Sequence, residues 1–166
     1  IGGDFFTFIC NDFELMKSKK RSPGIVQYIR SEDKYLGVAI GDVAGHGVSS
    51  ALIMALSAGL FSEIGKRHHS PTKVLTNANK DLVRYIQNSQ VTHVTAFYGV
   101  LNVKTHEFHF CRAGHPGTIL LKEDGRISTL TTPGSFLGMF EDLEFVEESI
   151  QLEKGDRLFF YTDGIT

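Results

Sequence analysis

Three aspartates occupy positions where a carboxylate can be held rigidly enough for chemistry. Asp42 sits in Gly41-Asp42-Val43-Ala44-Gly45-His46-Gly47, directly after the apolar run Leu36-Gly37-Val38-Ala39-Ile40 and directly before another that begins at Val48. A strand, a glycine-bounded loop with an acid and a histidine, and a helix start would present that carboxylate beside exposed backbone groups. Capping does not explain it, because the helix begins only near Val48. Asp163 ends a second hydrophobic run, Arg157-Leu158-Phe159-Phe160-Tyr161, in Thr162-Asp163-Gly164. Asp4 follows Gly2-Gly3 and precedes the strand-like Phe5 to Cys10, where glycines let the backbone crowd a ligand. One aspartate at a strand end is ordinarily a turn or a cap. Three of them, with no CxxC or paired-histidine spacing nearby, suit hard, oxygen-seeking cations such as Mg²⁺ or Mn²⁺ and not zinc. Metal-assisted phosphate chemistry is the leading class.

The elements that must hold these acids are mostly strands. Apolar residues alternate over Phe5 to Cys10, Gly24 to Ile29, Tyr35 to Ile40, Thr95 to Val103, Glu107 to Cys111, Thr118 to Leu121, Phe145 to Leu152 and Arg157 to Tyr161. Two helices interrupt them. The first, Val48 to about Lys66, is apolar nearly all round and is expected to be buried between a sheet and something else. The second carries its own start signals: Ser70 can cap it and Pro71 sits where a proline costs no hydrogen bond. Val74, Leu75, Ala78, Leu82 and Ile86 then form one apolar stripe down to Gln87-Asn88-Ser89. Short polar connections at Ser31 to Lys34, Asn102 to His106, Glu123 to Gly125 and Glu153 to Asp156 predict mainly antiparallel neighbours. Met16 to Ser22, with Lys17, Lys19, Lys20 and Arg21, reads as a longer hairpin loop, either a solvated tip or a docking patch for an acidic surface.

Composition narrows the function classes. At 166 residues, 42% apolar and 22% charged, the chain can bury a core as one domain, which excludes disorder and collagen. Seventeen Lys and Arg against nineteen Asp and Glu give no general attraction to nucleic acid. The longest apolar run carries four serines and Glu63, and no leader-like segment opens the sequence, so neither a membrane span nor a signal peptide is expected. Cys10 and Cys111 lie in apolar stretches and read as reduced core residues, consistent with a cytoplasmic location.

Four segments in this order resemble the bacterial SpoIIE/RsbU-like branch of the type 2C (PPM) serine/threonine phosphatases: Gly2-Gly3-Asp4-Phe5-Phe6, Gly41 to Ala51, Arg112-Ala113-Gly114-His115-Pro116 and Tyr161-Thr162-Asp163-Gly164. The resemblance implies an α+β fold, an α-β-β-α sandwich of two mainly antiparallel sheets flanked by helices, with two Mn²⁺ or Mg²⁺ ions at one edge. It implies that a water bridging the ions attacks a phosphoserine or phosphothreonine in one step. On this resemblance Asp42 bridges both metals, Val43 offers its backbone carbonyl to one, Asp163 holds the other, and Asp4 reaches them directly or through water. His46 becomes a candidate proton donor to the leaving alkoxide, although its flanking glycines equally suit a structural loop. Gly114-His115-Pro116 reads as a recurring hairpin turn, and Arg112 as a cation that could meet phosphate. The helix after Asp42 is then expected to carry regulation from a partner or upstream sensor domain.

Two departures accompany the resemblance. Relatives usually continue with another helix and a last strand bearing one more metal-binding aspartate, so the sequence reads as a single phosphatase domain lacking that end, part of a longer signalling protein, with the Asp163 metal weakly held. Two divalent ions bring four positive charges and the three aspartates return three. Thr7 stands where many relatives carry a second acid. The expected substrate is a phosphorylated regulator of the STAS-type anti-anti-sigma class. The competing reading is a catalytically weak or inactive domain that binds a phosphoprotein, which has less reason to keep three mutually repelling carboxylates.

Overall fold

The computed structural model describes residues 3–15 and 28–163, with the backbone alone described for 11–15 and 28–33. Eight strands and two helices follow in the order β1 (Phe5–Leu15), β2 (Tyr28–Val43), α1 (Val48–Gly65), α2 (Pro71–Ile86), β3 (Val94–Asn102), β4 (Glu107–Ala113), β5 (Thr118–Leu121), β6 (Ile127–Leu130), β7 (Glu147–Gln151) and β8 (Arg157–Phe159). They build a five-stranded sheet ordered β1-β2-β3-β4-β7 and a three-stranded sheet ordered β6-β5-β8, antiparallel throughout.

The two periodicities in the sequence explain the layering. In β2 and β3, Ala39, Val43, Val94, Ala96 and Tyr98 join the core beneath the helices, while Val38, Ile40 and Phe97 join the core between the sheets. Alternating side chains therefore bury both faces of the central strands, as a sheet covered on both sides requires. The helix pair, the large sheet and the small sheet are three of the four layers of the expected sandwich, all drawn from the described residues.

α2 starts where its local signals place it: Ser70 Oγ accepts from Lys73 N at 3.5 Å, Pro71 opens the helix, and the stripe from Val74 to Ile86 is buried. Its start is also tied across the fold, because Ser70 Oγ donates to Glu147 Oε2 at 2.7 Å and Thr72 N donates to the same oxygen at 3.1 Å. α1 differs from expectation. Only its Ser50-Ile53-Ser57-Phe61-Gly65 edge is buried, and Val48 and Leu52 on the other side are 77% and 66% exposed. Its composition and length would suit a membrane span, but the small residues at 50, 57 and 65 let this edge lie close against the sheet.

Three further expectations need correction. Ser31 to Lys34 lies within β2 and not in a turn, at the irregularity where the ladder with β1 skips from Tyr35 opposite Asn11 to Arg30 opposite Phe13, so the extra polar residues bulge from a strand that continues. Gly114-His115-Pro116 is no hairpin either: β4 pairs with β3 and β7, β5 with β6 and β8, and the segment crosses from one sheet to the other. Glu153 to Asp156 turns, with Asp156 N bonded to Glu153 O at 3.1 Å, but likewise links the two sheets. β6 lacked a clear apolar alternation and went unpredicted. The basic segment Met16 to Ser22 and residues 24–27 of the Gly24 to Ile29 strand lie outside the described residues.

Candidate metal centre and its cleft

Strand register decides where the acids meet. Asp42 pairs with Thr95 and Gly41 with Phe5, so Asp4, one residue before β1, lies beside Asp42 at the same sheet end. Ile40 and Phe97 face the second sheet, and Asp42 and Thr95, two residues along their strands, share that face. From the small sheet, β8 continues through Phe160, whose ring stands 5.8 Å from Phe97 and 6.4 Å from Phe6, and arrives at Asp163. The aromatic contact thus brings the third acid to the first two.

Carboxylate oxygens of Asp4, Asp42 and Asp163 all lie within 4.8 Å of one another, with Asp42 half-buried and the other two exposed. The Asp42 carboxyl is held above the usual carboxylate range, first by burial and then by the charges of Asp4 and Asp163, against the lowering influence of the Val43 amide and His93. Such a trio costs stability unless positive charge arrives. The donors are all oxygen, which fits Mg²⁺ or Mn²⁺.

Gly3 crowds the site's backbone and not a ligand: a Cβ there would lie 2.6 Å from the Val43 carbonyl oxygen, and Val43 N bonds to Gly3 O at 3.2 Å. This is how the N-terminal segment stays against β2. Gly45 and Gly47, with φ of 103° and 90°, turn the chain from β2 into α1. Gly47 caps α1 without a side chain, and Ala44 N is anchored to His93 O at 3.0 Å.

A cleft of about 560 Å³ opens over Asp42 and Asp163. Ala44, His93, Thr95 and Arg112 line it, together with Gly114, His115, Pro116 and Phe136. Arg112 is fixed there, its Nε donating to the Thr132 carbonyl at 2.9 Å and its Nη1 to the His115 carbonyl at 3.0 Å. His93 leans on Phe136, ring centroids 4.4 Å apart, with Nδ1 2.9 Å from Thr92 Oγ1. His115 is 1% exposed, and burial first of all pushes its ring below the ordinary imidazole range, against the opposing influence of the Tyr161 carbonyl and the acids. The structure thus brings together Asp4, Asp42 and Asp163. Val43 follows Asp42 with its side chain buried, and His46 stands exposed in the loop, outside the cleft lining. Sequence reasoning did not single out His93 or Thr95 and gave His115 only a turn. What places them is the pairing of Asp42 with Thr95 and Val43 with Val94, which no local spacing carries.

Comparison with known proteins adds independent findings. The family model described as Stage II sporulation protein E (SpoIIE) matches residues 32–166. The phosphoserine phosphatases RsbP and RsbU of Bacillus subtilis (strain 168) are 32% and 28% identical over 150 residues, 89% and 90% of this chain. The chain spans only 37% and 44% of their lengths. Among solved structures, RsbX in complex with magnesium superposes with a TM-score of 0.69 at 17% identity, over all of this chain and 68% of that one. The PP2C phosphatase domain of Bacillus subtilis SpoIIE, solved with a fragment of its regulatory domain, gives 0.65 at 18% identity, over 94% of this chain and 39% of that one.

Proposed function

The chain belongs to the SpoIIE family, in the RsbU-like branch of the type 2C phosphatases, and from that premise we propose that it is a divalent-metal-dependent phosphatase acting on phosphoserine or phosphothreonine in a bacterial regulatory protein. The observation that carries the reading is the trio of aspartate oxygens within 4.8 Å of one another, drawn from both sheets, two of them lining one cleft.

Asp42, Asp163, Asp4 and the Val43 carbonyl are the protein donors that would hold Mn²⁺ or Mg²⁺ here. When bound, such ions offset the charge on phosphoryl oxygens and make water acidic enough to attack at neutral pH. The protein's own groups do the rest. Arg112, its head fixed by two carbonyls, turns a cation toward the cleft for phosphoryl oxygens. The Phe136 ring and His93 form a wall that shields the reacting phosphate from bulk water. The resemblance would make His46 on the loop a proton donor to the departing serine oxygen, but its exposure outside the cleft lining leaves it a minor part in the rate. The proposed substrate is a phosphorylated regulator of the STAS type and the proposed controller an upstream sensor domain; the RsbP and RsbU relatives, named phosphoserine phosphatases, support the phosphoserine part of that reading.

The test is hydrolysis of an aryl phosphate by the intact protein, with Mn²⁺ titrated from micromolar to tens of millimolar, beside Asp42→Ala. Metal-dependent turnover that the substitution abolishes supports the enzyme. Absence of turnover at every metal level, together with retained binding of the phosphorylated regulator, supports the phosphoprotein-binding module instead.

A further inference from the structure

We infer that His115 is a positioning residue for the metal site, holding the Asp42 strand and the Asp163 segment at a fixed separation through a directed chain of hydrogen bonds. The inference rests on the metal-site reading above. Asp42 lies on the large sheet, whereas Asp163 follows the last strand of the small one. The two therefore share no ladder, and their carboxylates repel. His115 sits on the crossover between the sheets, with one ring nitrogen toward each.

Its Nε2 is 3.1 Å from the Tyr161 carbonyl, two residues before Asp163, and its Nδ1 is 2.8 Å from Thr95 Oγ1. A carbonyl can only accept, so Nε2 carries the proton. A neutral ring then accepts at Nδ1, and the Thr95 hydroxyl must donate there. That hydroxyl's oxygen in turn accepts from Asp42 N at 3.2 Å. The Asp42 carbonyl is a second acceptor for the Thr95 hydroxyl at 3.4 Å, but the 2.8 Å contact with Nδ1 is the shorter, and the chain then runs Asp42 amide to Thr95, Thr95 to His115, His115 to the Tyr161 carbonyl. The backbone that carries the ring is clamped, because Arg112 Nη1 donates to the His115 carbonyl at 3.0 Å and Gly114 N bonds to Gly134 O at 3.2 Å.

An apolar side chain of similar size would fill the same buried space. What it could not do is join the main chain of Asp42 to the segment that leads into Asp163. Groups that orient a metal's ligands without touching the metal ordinarily contribute about 10- to 100-fold in metal affinity.

The experiment measures Mn²⁺ binding directly, from the paramagnetic resonance signal of free Mn²⁺ over the intact protein without substrate, alongside kcat and KM for an aryl phosphate. His115→Phe is expected to weaken Mn²⁺ binding at least about tenfold, with kcat recovering at high Mn²⁺ and KM little changed. His115→Gln, which can still donate to Tyr161, is expected to restore part of the affinity. Thr95→Val breaks the same chain without altering the buried ring, and it carries the test if His115→Phe does not fold. The double variant should weaken binding no more than the worse single one. Folded single variants that bind Mn²⁺ as the parent does, with only a lowered melting temperature, would overturn the inference and leave a structural role. A parent protein that binds no Mn²⁺ would overturn the metal-site reading first, and this inference with it.

Discussion

The small sheet carries acids at both ends, and the two ends treat them oppositely. Where β8 begins, Lys122 Nζ meets Asp156 Oδ2 at 2.7 Å and Glu153 Oε2 at 3.3 Å, and Arg126 Nε meets Asp124 Oδ2 at 2.7 Å. The Lys122 ammonium first, and then the Glu153 amide, hold the Asp156 carboxyl below its ordinary range; the Arg126 amide and guanidinium do the same for Asp124. Where the same strand runs out, Asp163 joins Asp4 and Asp42, and the Asp42 carboxyl is pushed the other way. A carboxylate that supports a fold is matched by cations of its own chain. One that serves a ligand is kept among its like, at a cost that only the ligand removes.

Breaking each end should therefore have opposite consequences. Asp42→Asn is expected to lower metal-dependent hydrolysis at least about a hundredfold, while the melting temperature in chelator holds or rises because repulsion is relieved. A melt that falls in step with activity would place Asp42 with the structural acids. Asp156→Asn is expected to do the reverse, lowering the melting temperature by a few degrees and leaving the Mn²⁺ dependence of turnover where it was.

Glu147 sharpens the contrast through pH. Burial pushes its carboxyl up, but the bonds from Ser70 and Thr72, with His109 nearby, outweigh that and hold it below the ordinary 4.5. A depressed acid contributes stability that is present above 4.5 and is lost as pH falls through the folded value below it. The melting difference between the parent and Glu147→Gln should be level at neutral pH and shrink below that point. A difference unchanged down to strong acid would mean that the carboxylate charge does not anchor α2.

The smallest effect is expected at His46. A general acid contributes about 10² to 10⁴ in rate, so the proposed proton donor would make His46→Ala slow on a serine-like leaving group. Its exposure outside the cleft lining argues for a change within about threefold, and rates on good and poor leaving groups compared side by side decide between the two.

What was legible in the sequence was whatever local pattern determines. α2 announced itself through Ser70, Pro71 and one apolar stripe; Asp42 and Asp163 through the hydrophobic strands that end at them. What was not legible depends on partners distant in sequence. The polar Ser31 to Lys34 passes for a turn because it is the stretch where the β1–β2 ladder breaks, between Tyr35 opposite Asn11 and Arg30 opposite Phe13, while the strand itself runs on. The Gly114-His115-Pro116 segment passes for a hairpin until β4 and β5 are assigned to different sheets. His93 and Thr95 stand in no local spacing that ties them to an acid, and only register brings them to Asp42. For α1, composition could not distinguish an apolar helix covered on all sides from one resting on the narrow edge Ser50-Ile53-Ser57-Phe61-Gly65.

The register between β1 and β2 is regular from Phe5 opposite Gly41 to Asn11 opposite Tyr35, and shifts only between Asn11 and Phe13. Near the acids, then, length is quantised: one residue added or removed between Tyr35 and Gly41 would invert every side chain after it and turn Asp42 toward the helices. A change of two residues would preserve its face. Past the bulge the constraint lapses, since an irregularity already present can absorb another. Mutation is thus free to vary chain length on one side of Asn11 and is held to even steps on the other, a boundary that insertion scanning of this hairpin would trace residue by residue.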